Sequence, residues 1–247
     1  MSVKAATAPA AEVSLDELVA SYGTGFRRRA VLRGVTMSAE PGGITAIVGP
    51  SGAGKTTLFC VVLGLLRPQR GRCRVAGLRP ADYRRRHGIG YLPELSVFPG
   101  GWTPRGLLAR GADLSVAGNR TEIFSAAIAR TGFDAATLSK PIDRCSKGTR
   151  RMLGLAYALT GDPALVVLDE PFSGLDVRSR AALRREMLAA RERGATVLFA
   201  SHELPEVERL ADRVFVLNDG VARAARAWSP DGPAGLGLET EVTASDR

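Results

Sequence analysis

Eight residues, Gly49, Pro50, Ser51, Gly52, Ala53, Gly54, Lys55 and Thr56, constrain this chain more than any other stretch. They fit the pattern G-x-x-x-x-G-K-[ST] in its required setting: a short β-branched run over 43–48 before it and a helix-forming run over 56–66 after it. The glycines let the backbone curl so that successive N–H groups point inward and cradle phosphate oxygens, and the following helix adds its positive end. Lys55 supplies a compact charge for the outer phosphates of a nucleoside triphosphate, the Thr56 hydroxyl can ligate Mg²⁺, and Thr57 is counted among the contacting residues. Only four of the 34 basic residues are lysine (Lys4, Lys55, Lys140, Lys147), so lysine at 55 is a selective choice over arginine, whose planar fork substitutes poorly there.

The rest of the chain reads as an alternation of strands and helices interrupted once. Strands are expected over 12–22, 31–39, 43–48, 73–76 and 89–92, then 164–169, 195–200 and 213–217. Helices are expected over 56–66 and 177–193, with a short one from Leu204. Such alternation argues for a largely parallel sheet covered by helices, with the early strands forming an N-terminal antiparallel β region. Between them, 100–159 reads as an inserted α-helical lobe, with helices over 104–110, 121–131 and from near Ser146. The expected division is therefore a flexible N-terminus over 1–11, a core over 12–99 and 160–228, the lobe over 100–159, and a loose Gly- and Pro-rich tail over 229–247.

Bulk properties exclude some functions without assigning one. The longest nearly apolar stretch, 57–66, is far short of the ~20 residues that cross a bilayer. The opening MSVKAATAPAAEVS lacks the apolar core of a secretion signal, so the chain is expected to stay in the cytosol. Cys60, Cys73 and Cys145 show neither metal-site nor disulfide spacing and read as reduced thiols. The net charge of +9 comes from arginine, including runs at 27–29 and 84–86. Such runs can favour anionic surfaces, but a coding preference for Arg over Lys accounts for them equally simply, so charge assigns no partner.

A second motif supplies chemistry. Four apolar residues, Leu165, Val166, Val167 and Leu168, make a buried strand that delivers Asp169 at its C-terminal end, where α/β sheets place their ligand sites. Asp169 can hold Mg²⁺, and Glu170 beside it can orient and partly deprotonate a water for in-line attack on a γ-phosphate. A small-molecule kinase has no use for a water-activating carboxylate at that position.

With Asp169, Glu170 and Pro171 in place, the chain resembles the ABC ATPases over about residues 12–225, and several motifs carry that resemblance. Ser173, Gly174, Leu175 and Asp176 look like the family's D-loop, with Asp176 near nucleotide. His202, in Ser201-His202-Glu203, looks like the switch histidine that meets the γ-phosphate. Tyr22, 27 residues before Gly49, fits the aromatic residue that stacks on adenine. Cys145, Ser146, Lys147, Gly148 and Thr149 look like the signature motif, which binds the γ-phosphate held by a second subunit. Ser146 and Gly148 match the family pattern there, whereas Cys145, Lys147 and Thr149 depart from it. Glu94, after Tyr91-Leu92-Pro93, stands where most relatives have Gln. As a carboxylate it can bind Mg²⁺ or its water but cannot donate a hydrogen bond. His87 has no such context and reads as surface.

The resemblance implies a P-loop NTPase core binding ATP and Mg²⁺, with Glu170 and His202 catalytic. It implies a second nucleotide-binding subunit, identical or homologous, and a separate membrane-spanning permease, with the chain peripheral on the cytoplasmic face and no nucleic acid partner. Glu94 and Lys147 are similar to the ABC-2-type exporters and favour export of an unidentified substrate. Three other readings stay open: an importer ATPase, a soluble ABC protein without transport, and a regulatory subunit without turnover. The second is disfavoured because such proteins carry tandem cassettes or long insertions that do not fit in 247 residues.

Overall fold

The structure, a computed structural model, describes residues 11–22, 29–116 and 118–225. In chain order the first half contains β1 (Val13–Tyr22), β2 (Arg29–Ala39), β3 (Ile44–Val48), α1 (Lys55–Val62), β4 (Arg70–Val75), α2 (Pro80–His87) and β5 (Gly90–Leu92). Helices α3 (Pro104–Leu114), α4 (Arg120–Thr131), α5 (Ala135–Ser139) and α6 (Lys147–Ala158) follow. The chain then alternates again through β6 (Leu165–Asp169), α7 (Val177–Glu192), β7 (Thr196–Ala200), α8 (Leu204–Leu210), β8 (Arg213–Asn218) and β9 (Val221–Ala224).

Two sheets result, as expected. A three-stranded antiparallel sheet has the order β2-β1-β4, and a six-stranded sheet has the order β5-β6-β7-β3-β8-β9, parallel except for β9. Strands β3, β6 and β7 are buried at all five positions, which is why they read as unbroken apolar runs rather than alternating ones. In β1 the alternation slips by one residue between Leu15 and Leu18. Glu17, at φ 46°, takes up the extra residue, so Leu15, Leu18 and Ala20 all stay on the core side.

Packing divides the interior. One cluster joins the antiparallel sheet to the parallel one through α1, around Leu18, Leu32, Phe59, Val62, Val167 and Leu217. A second covers the other face of the parallel sheet, around Val48, Leu168, Phe199, Leu183 and Met187. A third, around Leu108, Ala127, Ile142 and Leu153, holds the helical segment together. Helix α6 belongs to two of them, giving Leu153 and Ala156 to the lobe and Met152 and Leu155 to the sheet side.

The register of the central strands sets the stage for a site. Ala200 lies opposite both Asp169 and Ile47, so β6, β7 and β3 end level with one another. The loops after them, starting at 49, 170 and 201, therefore emerge along one edge of the sheet.

Several local expectations need correction. Helix α1 stops at Val62 rather than 66, because Gly64 turns at φ 66° and α2 crosses it so closely that a Cβ there would lie 2.5 Å from the Ala81 nitrogen. Helix α2 itself was not expected: of its eight residues only Tyr83 is buried, so it carries no apolar period to read. Strand β4 begins at Arg70 rather than 73, α5 is an additional helix in the lobe, and β9 is an extra antiparallel edge strand. The expectations for 1–10 and for the tail fall outside the described residues.

Candidate active site

The loop after β3 folds back on its own lysine. Lys55 Nζ donates to the Gly49 carbonyl at 2.7 Å and to the Pro50 carbonyl at 3.2 Å, arching over the turn it terminates. Gly49 is glycine for steric reasons, since a Cβ there would sit 2.0 Å from the Leu217 carbonyl oxygen of β8. Gly54, at φ 107°, is the residue from which α1 starts. Ala53, Lys55 and Thr57 are buried, while Ser51, Gly52 and Thr56 face solvent, so the concave side of the turn is open.

The strand end at β6 meets this turn. The Thr56 hydroxyl donates to Asp169 Oδ2 at 2.7 Å, joining residues 113 positions apart. Asp169 is 1% exposed, and its other oxygen, Oδ1, is buried without a hydrogen-bond partner. Burial pushes its carboxyl above the usual carboxylate range, the Thr56 hydrogen bond opposes that, and the Glu170 and Glu94 carboxylates add to it. An orphaned buried acceptor beside a hydroxyl, with repelling carboxylates around it, is a site that a small hard cation relieves. Thr56 and Asp169 thus fit a Mg²⁺ ion, which keeps several waters and needs few protein ligands. Among the described residues no group of three or more His, Cys, Asp or Glu forms an all-protein cage, and this mode of binding requires none.

Glu170 sits at φ 47°, a left-handed conformation that a non-glycine residue adopts at a cost and that here turns its side chain across the site. Its Oε1 lies 3.5 Å from Lys55 Nζ, and its Oε2 lies 2.9 Å from His202 Nδ1. The His202 main-chain N–H also donates to Oε2 at 3.3 Å. Glu170 is 7% exposed, whereas the His202 ring is largely in solvent. The structure therefore brings together Lys55, Thr56, Asp169, Glu170 and His202, all singled out from sequence.

The remaining candidates lie around this centre. Glu94 is exposed at the start of the loop after β5, and its electrostatic effect on Asp169 places its carboxylate in the same neighbourhood. Ser146 caps α6, accepting from the Thr149 N–H at 3.1 Å, and stays exposed; Gly148 lies in the first turn. Asp176 caps α7, accepting from the Ser179 N–H at 2.7 Å, and those hydrogen bonds hold its carboxyl below the usual range. Among the described residues no hydrogen bond or ion pair joins Ser146 or Asp176 to the turn over 49–56. Tyr22 ends β1 opposite Arg29, and its side chain lies outside the described residues. His87 is exposed, with its ring tilted against Tyr83.

Two arginines were not anticipated from sequence. Arg151, 4% exposed on α6, donates to main-chain oxygens at the ends of β5 and β6. Arg180 on α7 donates to the Leu175 carbonyl at 3.0 Å and pairs with Glu203, the residue after His202. The signal for Arg151 is a charge on the same helix face as Gly148 and Leu155, a conflict that only a fixed set of acceptors resolves.

Comparison with known proteins bears on this arrangement. Residues 32–173 match the family model described as ABC transporter. The chain is 34% identical to an uncharacterized ABC transporter ATP-binding protein of Nostoc sp., over 84% of its own length and 64% of that protein. It thus spans less than two thirds of that relative. It is 35% identical to the lipopolysaccharide export system ATP-binding protein of Acidithiobacillus ferridurans, over 83% of this chain and 86% of the other. It is also 35% identical to a probable anion import ATP-binding protein of Haloferax volcanii, covering 81% and 76%. Among solved structures, an ATP-binding subunit of an ABC transporter superposes with a TM-score of 0.80 at 26% identity, covering 95% of this chain and 99% of that one.

Proposed function

The chain belongs to the ABC transporter family, and from that premise we propose that it is the ATP-binding and ATP-hydrolysing subunit of a transporter whose permease is a separate polypeptide. One observation carries the reading: Glu170, buried at the end of β6, is held between Lys55 and His202 beside the Thr56–Asp169 pair.

In this reading the turn over 49–56 grips the phosphates through its main-chain N–H groups and Lys55, with Thr57 at the helix start and Tyr22 toward the base. Thr56 and Asp169, with Glu94 nearby, hold Mg²⁺, which supplies charge neutralisation for the phosphate oxygens when bound. Glu170 accepts the proton of the attacking water. Lys55 lies against its first oxygen and His202 against its second, which fixes how the carboxylate faces the phosphate site. Ser146 and Gly148 are presented to solvent at a helix start, free to meet the γ-phosphate on a second nucleotide-binding subunit, with Asp176 near the same edge.

We assign the transported direction as export, on Glu94 and Lys147. Import is the second reading, favoured by the 35% identity to the probable anion import protein. The chain would act as a peripheral protein on the cytoplasmic face. Among the described residues no helix is long and apolar enough to cross a membrane, so the path for the substrate falls to the partner.

The direct test is ATPase activity of the purified chain beside Glu170→Gln. The variant should bind ATP as the wild type does and turn over about 10²–10⁴-fold more slowly, the range for loss of a positioned base. Hydrolysis at the wild-type rate would remove Glu170 from the role of base.

A further inference from the structure

Arg151 buries a guanidinium where the sheet delivers its chemistry, yet it meets the candidate residues Glu94, Asp169 and Glu170 only through their main-chain carbonyls. Nε donates to the Pro171 carbonyl at 3.1 Å. Nη1 donates to the Pro93 carbonyl, to the Glu94 carbonyl at 2.9 Å and to Ser96 Oγ at 3.3 Å, and Nη2 donates to the Asp169 and Glu170 carbonyls. Every one of these acceptors is a neutral oxygen, and five are main-chain carbonyls.

The topology explains why they converge. β5 and β6 are parallel neighbours with Leu92 opposite Leu168, so the carbonyls just past that ladder, at 93–94 and 169–171, lie side by side where β5 has ended, although Asp169 still pairs with Ala200 of β7 on its other side. Helix α6 reaches them because Gly154, one turn beyond Arg151, lets it lie against the strand end: a Cβ there would come within 2.7 Å of Leu92 and 3.2 Å of Ser96 Oγ. On the same helix face, one turn before Arg151, Gly148 approaches Leu175. Five N–H donors in a rigid fork satisfy both strand ends at once, which the three donors of a lysine do not. Burial lowers the guanidinium to about 10, with the Asp169, Glu94 and Glu170 carboxylates opposing, so it stays charged at neutral pH.

We propose that Arg151 is a positioning residue that locks the Asp169–Pro171 turn, the loop beginning at Pro93 and the start of α6 into one rigid unit. Glu170 holds a strained backbone with its own carbonyl anchored on Arg151, so the aim of its carboxylate depends on a side chain only three residues beyond Gly148 and five beyond Ser146. Displacement at one of the three segments is then felt at the other two. The inference rests on the ATPase reading above and adds to it a link inside one subunit between the hydrolytic carboxylate and the surface offered to the second.

The test uses the full chain with Arg151→Met and Arg151→Lys. For Arg151→Met the kcat for ATP should fall about 10- to 100-fold with KM nearly unchanged, and Arg151→Lys should recover part of the loss. A kcat within about threefold of wild type for the Met variant, or a loss confined to KM, overturns the proposal. If Arg151→Met does not fold, the Lys variant carries the same expectation and the same refutation. Hydrogen exchange reads the link without turnover. MgATP added to the Glu170→Gln chain should slow amides in 93–98 as well as in 49–56; with Arg151→Lys added, only 49–56 should respond. Equal protection of both segments in both chains also overturns it. A wild-type chain that binds ATP but never hydrolyses it defeats the ATPase reading instead, and the exchange pattern still decides the link.

Discussion

At the scale of single residues, two glycines in the phosphate turn have different reasons to be glycine. Gly49 is pressed against the Leu217 carbonyl, whereas Gly52 faces open space but turns at φ 85°. Gly49→Ala should therefore cost more than Gly52→Ala: roughly 3 kcal/mol or more from the backbone clash against about 1–2 kcal/mol from the left-handed φ. Urea unfolding of the two variants checks the order. Asp176 offers a pH test. Hydrogen bonds from Ser179 hold its carboxyl below the ordinary aspartate range, so its contribution is present above that range and is lost as pH falls through the lowered folded value. Asp176→Asn keeps a cap oxygen that does not titrate. The stability difference between wild type and this variant should thus be constant from neutral pH down to the ordinary carboxylate range and shrink below it, as followed by acid unfolding.

At the scale of elements, α7 and α8 are tied by charges rather than by apolar surface alone. Glu206, 4% exposed on α8, accepts from Arg184 at 2.7 and 2.8 Å, and Arg180 lies 3.8 Å away while also holding Glu203 and the Leu175 carbonyl. Removing Arg184 strands most of a buried carboxylate's hydrogen bonding. Arg184→Met should destabilise the chain by about 1–3 kcal/mol, and adding Glu206→Met should return most of that, because the cost lies in the unpaired charge. A double-mutant cycle in urea gives the coupling directly. Arg180 spans the loop leading to Asp176 and the loop carrying His202, so it joins the two segments on either side of α7.

At the scale of the whole molecule, the Ser146 side chain is exposed and its hydrogen bonds go to Thr149 of its own helix, none of them to the Lys55 turn. Lys147 lies over Gly174, where a Cβ would meet its Nζ at 2.8 Å and its Cε at 3.0 Å, so the head of α6 and the loop after β6 share a surface. Val177, beside Asp176, is 83% exposed at the head of α7, an apolar side chain among exposed Asp176 and Arg178. A second copy supplying that surface predicts nucleotide-dependent pairing. Glu170→Gln with MgATP should run at twice the monomer mass, and Lys147→Glu should abolish the pairing while leaving ATP affinity within about twofold, because in the proposed arrangement the reversed charge would face the partner's phosphate rather than its own. Light scattering with and without ATP measures both. A Lys147→Glu chain that still pairs would separate the interface from the signature segment.

The fold class and the centre of the site were readable from residues alone because both are locally encoded. Continuous apolar runs mark β3, β6 and β7, the glycine spacing of 49–54 dictates a turn, and Asp169 follows its strand by connectivity. What the chain does at 180 and 80–87 was not readable, since Arg180 does not differ in type from exposed Arg178 and α2 has almost no buried face, and at 151 the residues show a charge on the helix face of Gly148 and Leu155 but not the acceptors that meet it. Only the tertiary structure decided that Arg151 meets carbonyls up to 58 residues away, that Glu170 lies between Lys55 and His202, and that Ser146 stays outward. Local sequence encodes backbone period and turn geometry, whereas a buried charge is specified by acceptors that come together only once distant strand ends have been brought level.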